Sequence, residues 1–229
     1  MNATLDTVYV AVYDTLADWE PGHATAYLAR AGYPIRTVGP SHEPVTTLGG
    51  LRILPDLEIG EVGVDRAALL ILPGADLWET GDELAPYGRL ARQFLEAGVP
   101  VAAICGATAG LAREGLLDDR DHTSNVSFYL AATGYAGSGH YIEADAVSDG
   151  NLITAGGTDP VAFARDIFAL LGVYEGDVLD AWYRLFHDSD ADAFPILDAA
   201  ERAAAERVAA ERAVAEQAVA EQAAAGGDR

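Results

Sequence analysis

The chain has 229 residues, half of them hydrophobic, which is enough to bury a genuine core and too apolar for wholesale disorder. Thirty-six acidic residues against fourteen Arg and no Lys leave a net charge of −22, which argues against nucleic-acid partners and against docking on anionic membranes. A single Cys excludes an internal disulfide and a Cys-rich metal site, and no apolar run reaches the length of a membrane span.

Asp6 stands where a signal peptide would carry Lys or Arg, so a soluble, cytoplasmic protein is expected. In chain order, Thr7 to Tyr13 is β-branched and aromatic and reads as a strand. Asp18 to Ala31 reads as a helix with acids and Pro21 in its first turn and Gly32 after its end. Pro34 to Val38 is a second strand, and Thr46 to Leu54 surrounds Gly49-Gly50 as a hairpin. Ala67 to Leu72 and Val99 to Ile104 are continuously apolar, as parallel strands buried on both faces should be. Helices are predicted over Glu83 to Ala97, Thr108 to Leu117 and, briefly, Val126 to Thr133. His140 to Val147 and Asn151 to Ala155 read as strands around Asp149-Gly150, and Pro160 to Leu171 and Gly176 to His187 as helices. Strands alternating with helices predict an α/β sandwich around a mostly parallel sheet, with ligands beyond the carboxyl ends of the strands.

Ala200 to Ala224 is five copies of one Ala/Glu-rich pentapeptide, built from strong helix formers. Each repeat advances about 140°, so its Val residues form no continuous stripe, and a solvated helix is favoured over a coiled coil. The expected division is therefore a domain over 1–189 and a low-complexity helical tail over 190–229. From Asp198 onward seven acids meet four Arg, a net of −3, so −19 of the −22 belongs to the preceding chain. The acid excess favours a salt-adapted protein, because GC-rich coding explains missing Lys but not this charge.

The lone Cys105 follows an apolar strand and precedes a helix, in Ala103-Ile104-Cys105-Gly106-Ala107. A nucleophile on such a strained elbow needs small neighbours, which Ala103, Gly106 and Ala107 supply. The helix N-terminus beside it is expected to lower the thiol pKa and to stabilise an oxyanion. A buried structural Cys is the alternative. No G-x-G-x-x-G, P-loop or metal-ligand spacing is found, so neither cofactor nor metal is expected.

The segment V-A-A-I-C-G-A-T-A-G-L-A resembles the nucleophile elbow of the ThiJ/PfpI family, in the class I glutamine amidotransferase-like superfamily. The similarity continues in Ile71 to Asp76, Gly115 to Asn125 and Asp149 to Thr158, and spans roughly residues 6 to 172. The resemblance implies a flavodoxin-like sandwich, often dimeric, with a reactive Cys hydrogen-bonded by a protonated Glu from the first helix. Glu20, twelve residues before Gly32, takes that place; otherwise it is a plain helix N-terminal acid. Asp18 could instead act as the Asp of the isonitrile hydratase branch does. The turn Gly74-Ala75 resembles the loop that supplies one oxyanion donor, with Gly106 supplying the other.

Two departures matter. Protease-like members carry His directly after the Cys, where this chain has Gly106. Other members carry a His about twenty residues on, which falls here on Asn125, while His122 lies three residues earlier. In an extended segment His122 and Asn125 face opposite sides, and Asn cannot accept a proton as a base. Peptidase or amidotransferase activity is therefore disfavoured. His23, one turn beyond Glu20, is a further pocket candidate, or an ordinary surface His. The expected function is that of a small-molecule hydrolase, hydratase or lyase acting on reactive carbonyls or related electrophiles through Cys105. A stress or redox sensor working by Cys105 oxidation is the alternative. The expected partners are a small substrate and a second copy of the chain.

Overall fold

The computed structural model describes residues 5–206, 209 and 210. They fall into two compact units, one ending at Tyr174 and one beginning at Glu175.

The first unit begins with β1 (Thr7–Ala11), α1 (Gly22–Arg30) and β2 (Ile35–Gly39). A small antiparallel hairpin follows, β3 (Val45–Thr46) and β4 (Arg52–Ile53), then a two-residue edge strand β5 (Leu57–Glu58). Next come β6 (Ala67–Leu72), α2 (Ala85–Glu96), β7 (Val101–Ile104), α3 (Gly106–Arg113) and α4 (Ser127–Ala131). The unit closes with β8 (Ala146–Asp149), β9 (Leu152–Ala155) and α5 (Pro160–Leu171). Among the described residues these strands form a seven-stranded sheet in the order β5-β2-β1-β6-β7-β9-β8. Every pairing is parallel except β8 with β9.

Leu69 to Leu72 on β6 and all four residues of β7 are fully buried, which explains their unbroken apolar run. Helices cover both sides of the sheet, α1 packing with α5 and α2 with α3. Pro160 pre-forms the first turn of α5, and Gly172 ends it at φ 64° in the left-handed conformation. The chain steps outward from β1 to β2, then returns to lay β6 on the other side of β1. Ligand crevices of doubly wound sheets open at such a reversal, beyond the strand ends.

Two elements differ from the sequence expectation. Asp18 to Pro21 are turns, and α1 begins only at Gly22, because the Glu20 N–H closes a tight turn on Ala17 O at 3.2 Å. His140 to Asp145 are not strand, since Gly137–His140 forms a 3-10 turn and β8 starts at Ala146.

The second unit opens with α6 (Gly176–His187), whose Arg184 closes a fork on Asp190. A 3-10 turn at Ala191–Ala193 follows, and residues 194–206 are helical. Most of the pentapeptide repeat lies outside the described residues.

Candidate active site

Four neighbouring parallel strands, β1, β6, β7 and β9, each end in a loop that reaches one pocket. Cys105 sits directly after β7, its N–H held by Ala155 O at 3.0 Å, with φ 57° and ψ −126°. Positive φ in a residue with a side chain is the strain predicted for a nucleophile elbow. Thr108 fixes the turn by donating both its N–H (3.1 Å) and its hydroxyl (2.6 Å) to Cys105 O.

Glu20 is fully buried, and its Oε2 accepts the Gly74 N–H at 2.5 Å. The Gly74 amide, one of the expected oxyanion donors, is thus engaged by Glu20. The Pro73-Gly74-Ala75 turn is held from three sides. Tyr13 donates its hydroxyl to Pro73 O, the Trp78 indole N–H reaches Pro73 O and Tyr13 Oη at 3.0 Å each, and Ala17 N–H donates to Gly74 O at 2.9 Å. Trp78 in turn lies against Gly106 and Gly110 of α3, where a Cβ at Gly110 would stand 2.2 Å from the indole ring. That contact explains why this face of α3 carries glycine.

Glycine is also required on the far wall. A Cβ on Gly157 would lie 2.8 Å from Cys105 Sγ and 3.3 Å from Glu20 Oε1. Gly157 donates its N–H to Asn125 Oδ1 at 2.8 Å, and Asn125 Nδ2 donates to Cys105 Sγ at 3.4 Å. The Gly157 N–H fixes which end of the Asn125 amide is oxygen, so the sulfur faces a permanent donor. The carbonyl of Gly157 accepts the indole N–H of Trp19 at 3.1 Å, and Trp19 stays 55% exposed at the rim.

The electrostatics of the pair are opposed. Burial pushes the Glu20 carboxyl up to about 7, against the pull of the Gly74 N–H and the thiol. Burial and the Glu20 charge push the Cys105 thiol up to about 11, offset in part by Asn125 Nδ2 and the Gly106 N–H. The expected depression by the helix N-terminus is therefore outweighed by burial beside a carboxylate. When Glu20 holds the proton, that charge is absent and the thiolate can accept a hydrogen bond from it. The thiol holds its proton more tightly than the carboxyl does, so the nucleophilic thiolate forms when that proton passes to Glu20, which then serves as an internal acid.

The remaining predicted residues are placed as follows. Asp18 points to the β3–β4 hairpin, accepting the Gly49 N–H at 2.6 Å; burial raises its carboxyl, but hydrogen bonds from Thr47 and Gly49 bring it below the usual range. His122 is fully buried, its Nδ1 on Arg120 O at 2.7 Å and its Nε2 on the Tyr135 hydroxyl at 3.1 Å, with the Tyr135 and Tyr141 rings edge-on. It is held by those partners, and burial pulls its pKa down. His23 is half-buried on the first turn of α1, and burial lowers its pKa too. Among the described residues no group of three or more His, Cys, Asp or Glu converges as a metal site would. Tyr13 and Trp78 were not singled out as site residues by sequence reasoning, because no local spacing marks a side chain brought in by tertiary packing.

Fold and pocket together define an α/β sandwich with a cysteine elbow facing a buried carboxyl. The chain belongs to the DJ-1/PfpI family, whose model matches residues 6–170. It is 40% identical over 189 residues to the "Uncharacterized protease YoaZ" of Bacillus subtilis, spanning 78% of this chain and 89% of that one. The crystal structure of a thiJ/pfpI family protein from Bacillus anthracis superposes with a TM-score of 0.77 at 38% identity, covering 82% of this chain and 93% of that one. A more distant relative, the "Glutathione-independent glyoxalase DJR-1.2" of Caenorhabditis elegans, is 29% identical over 93 residues, 41% of this chain and 50% of that protein.

Proposed function

We propose that the chain is an enzyme in which the Cys105 sulfur adds to small carbonyl electrophiles, the class to which the name of its glyoxalase relative points. The observation that carries this reading is the coupled Cys105–Glu20 pair, walled by Gly74 and Gly157 where any side chain would fill the pocket. In the first step the Cys105 proton passes to Glu20, the thiolate forms a C–S bond, the carbonyl π pair moves to oxygen, and the proton on Glu20 ends on that oxygen. In this reading the Gly106 N–H at the start of α3 and the Ala75 amide are the donors for the developing charge. For a carbonyl carbon bearing hydrogen and a neighbouring carbonyl, the Glu20 carboxylate then takes the C–H proton and returns it to the neighbouring carbon, giving a thioester; solvent water cleaves its C–S bond, releasing the hydroxy acid and restoring the thiol.

A peptidase reading has less support. Gly106 and Asn125 stand where the family's bases would be, and Asn125 carries no transferable proton at neutral pH. The reading also includes a homodimer and a cytoplasm of high salt, which light scattering in concentrated KCl would test. The direct test is consumption of methylglyoxal by wild type, Cys105→Ala and Glu20→Gln. Wild type should consume it and both variants should be slower by at least about 100-fold. Equal activity of wild type and Cys105→Ala would overturn the assignment.

A further inference from the structure

The catalytic steps leave one pair of buried hydroxyls beside the elbow unused. Ser124 and Thr108 are both buried, and their hydroxyl oxygens stand 2.7 Å apart. Thr108 donates its hydroxyl to Cys105 O at 2.6 Å, and a carbonyl can only accept. A hydroxyl has one proton to give, so at the contact between the two Ser124 is the donor and Thr108 the acceptor. The order is thereby fixed, from Ser124 to Thr108 to the carbonyl of the nucleophile itself.

Thr123, Ser124 and Asn125 belong to neither helix nor strand, so side-chain bonds hold this segment in place. Thr123 donates its N–H to Thr154 Oγ1 on β9 at 2.9 Å and its hydroxyl to Ala144 O at 3.0 Å. The Tyr141 hydroxyl donates to Ser124 O at 3.4 Å. Of these bonds and the one to Thr108, only the last ends on α3, in the turn that carries the sulfur. The next residue, Asn125, sets its Nδ2 on Cys105 Sγ at 3.4 Å, a long contact that a small shift of the segment would weaken.

We propose that Ser124 is a positioning residue for the Cys105 nucleophile: its hydroxyl, through Thr108, holds the segment against the elbow and so keeps the Asn125 amide on the sulfur. Ser124 acts through its neighbours and not on the reacting atoms. No covalent bond forms or breaks at it, and its role is the same whichever electrophile Cys105 attacks.

The experiment is alkylation of Cys105 by iodoacetamide, its rate taken from pH 6 to 9, in wild type, Ser124→Ala, Asn125→Ala and the double variant. A weakened Asn125 donor favours the protonated thiol, so Ser124→Ala should react about threefold more slowly than wild type at pH 8. In the Asn125→Ala background Ser124→Ala should change nothing further, because the group it positions is gone. Thr123→Val is the control. It removes a buried hydroxyl from the same segment, so it should lower the melting temperature and leave the alkylation rate intact. Should Ser124→Ala melt below the assay temperature, Thr108→Val cuts the same bond from the α3 side and is read in the same two backgrounds. A wild-type rate in Ser124→Ala, equal slowing with and without Asn125, or equal slowing by Thr123→Val overturns the proposal. Each of those outcomes leaves the carbonyl reading standing, since iodoacetamide reports on the thiol and methylglyoxal consumption on the reaction.

Discussion

Asn125 holds Cys105 through its amide nitrogen, 3.4 Å from Sγ, because the Gly157 N–H occupies its oxygen at 2.8 Å. The sulfur thus faces a donor that does not titrate. Replacing Asn125 with Asp should set a carboxylate against the sulfur and push its pKa further up. The alkylation rate of Cys105 at pH 8 should fall by about tenfold or more, and Asn125→Ala should fall less. Iodoacetamide rates measured against pH decide it; an unchanged Asp variant would mean that the amide does not govern the thiol.

Glu20 should tie stability to pH in an unusual direction. Its carboxyl rises from an ordinary 4.5 to about 7 on folding, so the folded state favours its neutral form. That contribution is fully present below pH 4.5 and is lost as pH climbs through 7. The size is on the order of 3 kcal/mol. Glu20→Gln cannot ionise, so wild type should lose ground to it steadily across this window and hold a constant deficit above it. Parallel melting curves from pH 4 to 9 would contradict the raised carboxyl.

Gly110→Ala should destabilise the fold through Trp78. The added Cβ would stand 2.2 Å from an indole that is 3% exposed and has no room to turn away. A loss of about 1–3 kcal/mol is expected, read from the urea midpoint, with slower thiol alkylation as Pro73 loses a donor. Gly22→Ala is the control. Nothing lies within 4 Å of its Cβ position on α1, so a gain of about 0.4–1 kcal/mol is expected there.

The charge of −22 should make stability depend on salt. Moving from about 0.1 M to about 1 M KCl shortens the screening length from about 10 Å to about 3 Å and relieves repulsion among carboxylates. The melting temperature should rise by several degrees; a flat response would show that the acidic surface is not under strain.

Much of the sheet and the elbow could be read from local pattern. Ala67 to Leu72 is a strand over the predicted residues because burial on both faces writes itself into every position. The edge strand Leu57–Glu58 was not predicted, since two residues carry no periodicity. Cys105 was legible from its small neighbours, and its positive φ follows from the same requirement. Asn125 could be located by counting from Cys105, but its orientation depends on Gly157, thirty-two residues away and meaningful only in three dimensions. Tyr13 and Trp78 brace the Pro73 turn across packed layers, and nothing in their own segments announces it.

Glu20, the Gly74 turn, Cys105 and Gly157 follow β1, β6, β7 and β9, four strands that lie side by side. None of these groups meets another until the strands have paired in register. The shielding of one sulfur therefore reports on the integrity of the whole centre of the sheet. A thiol reagent added during refolding would serve as a clock for sheet closure, read from the only reactive sulfhydryl in the chain.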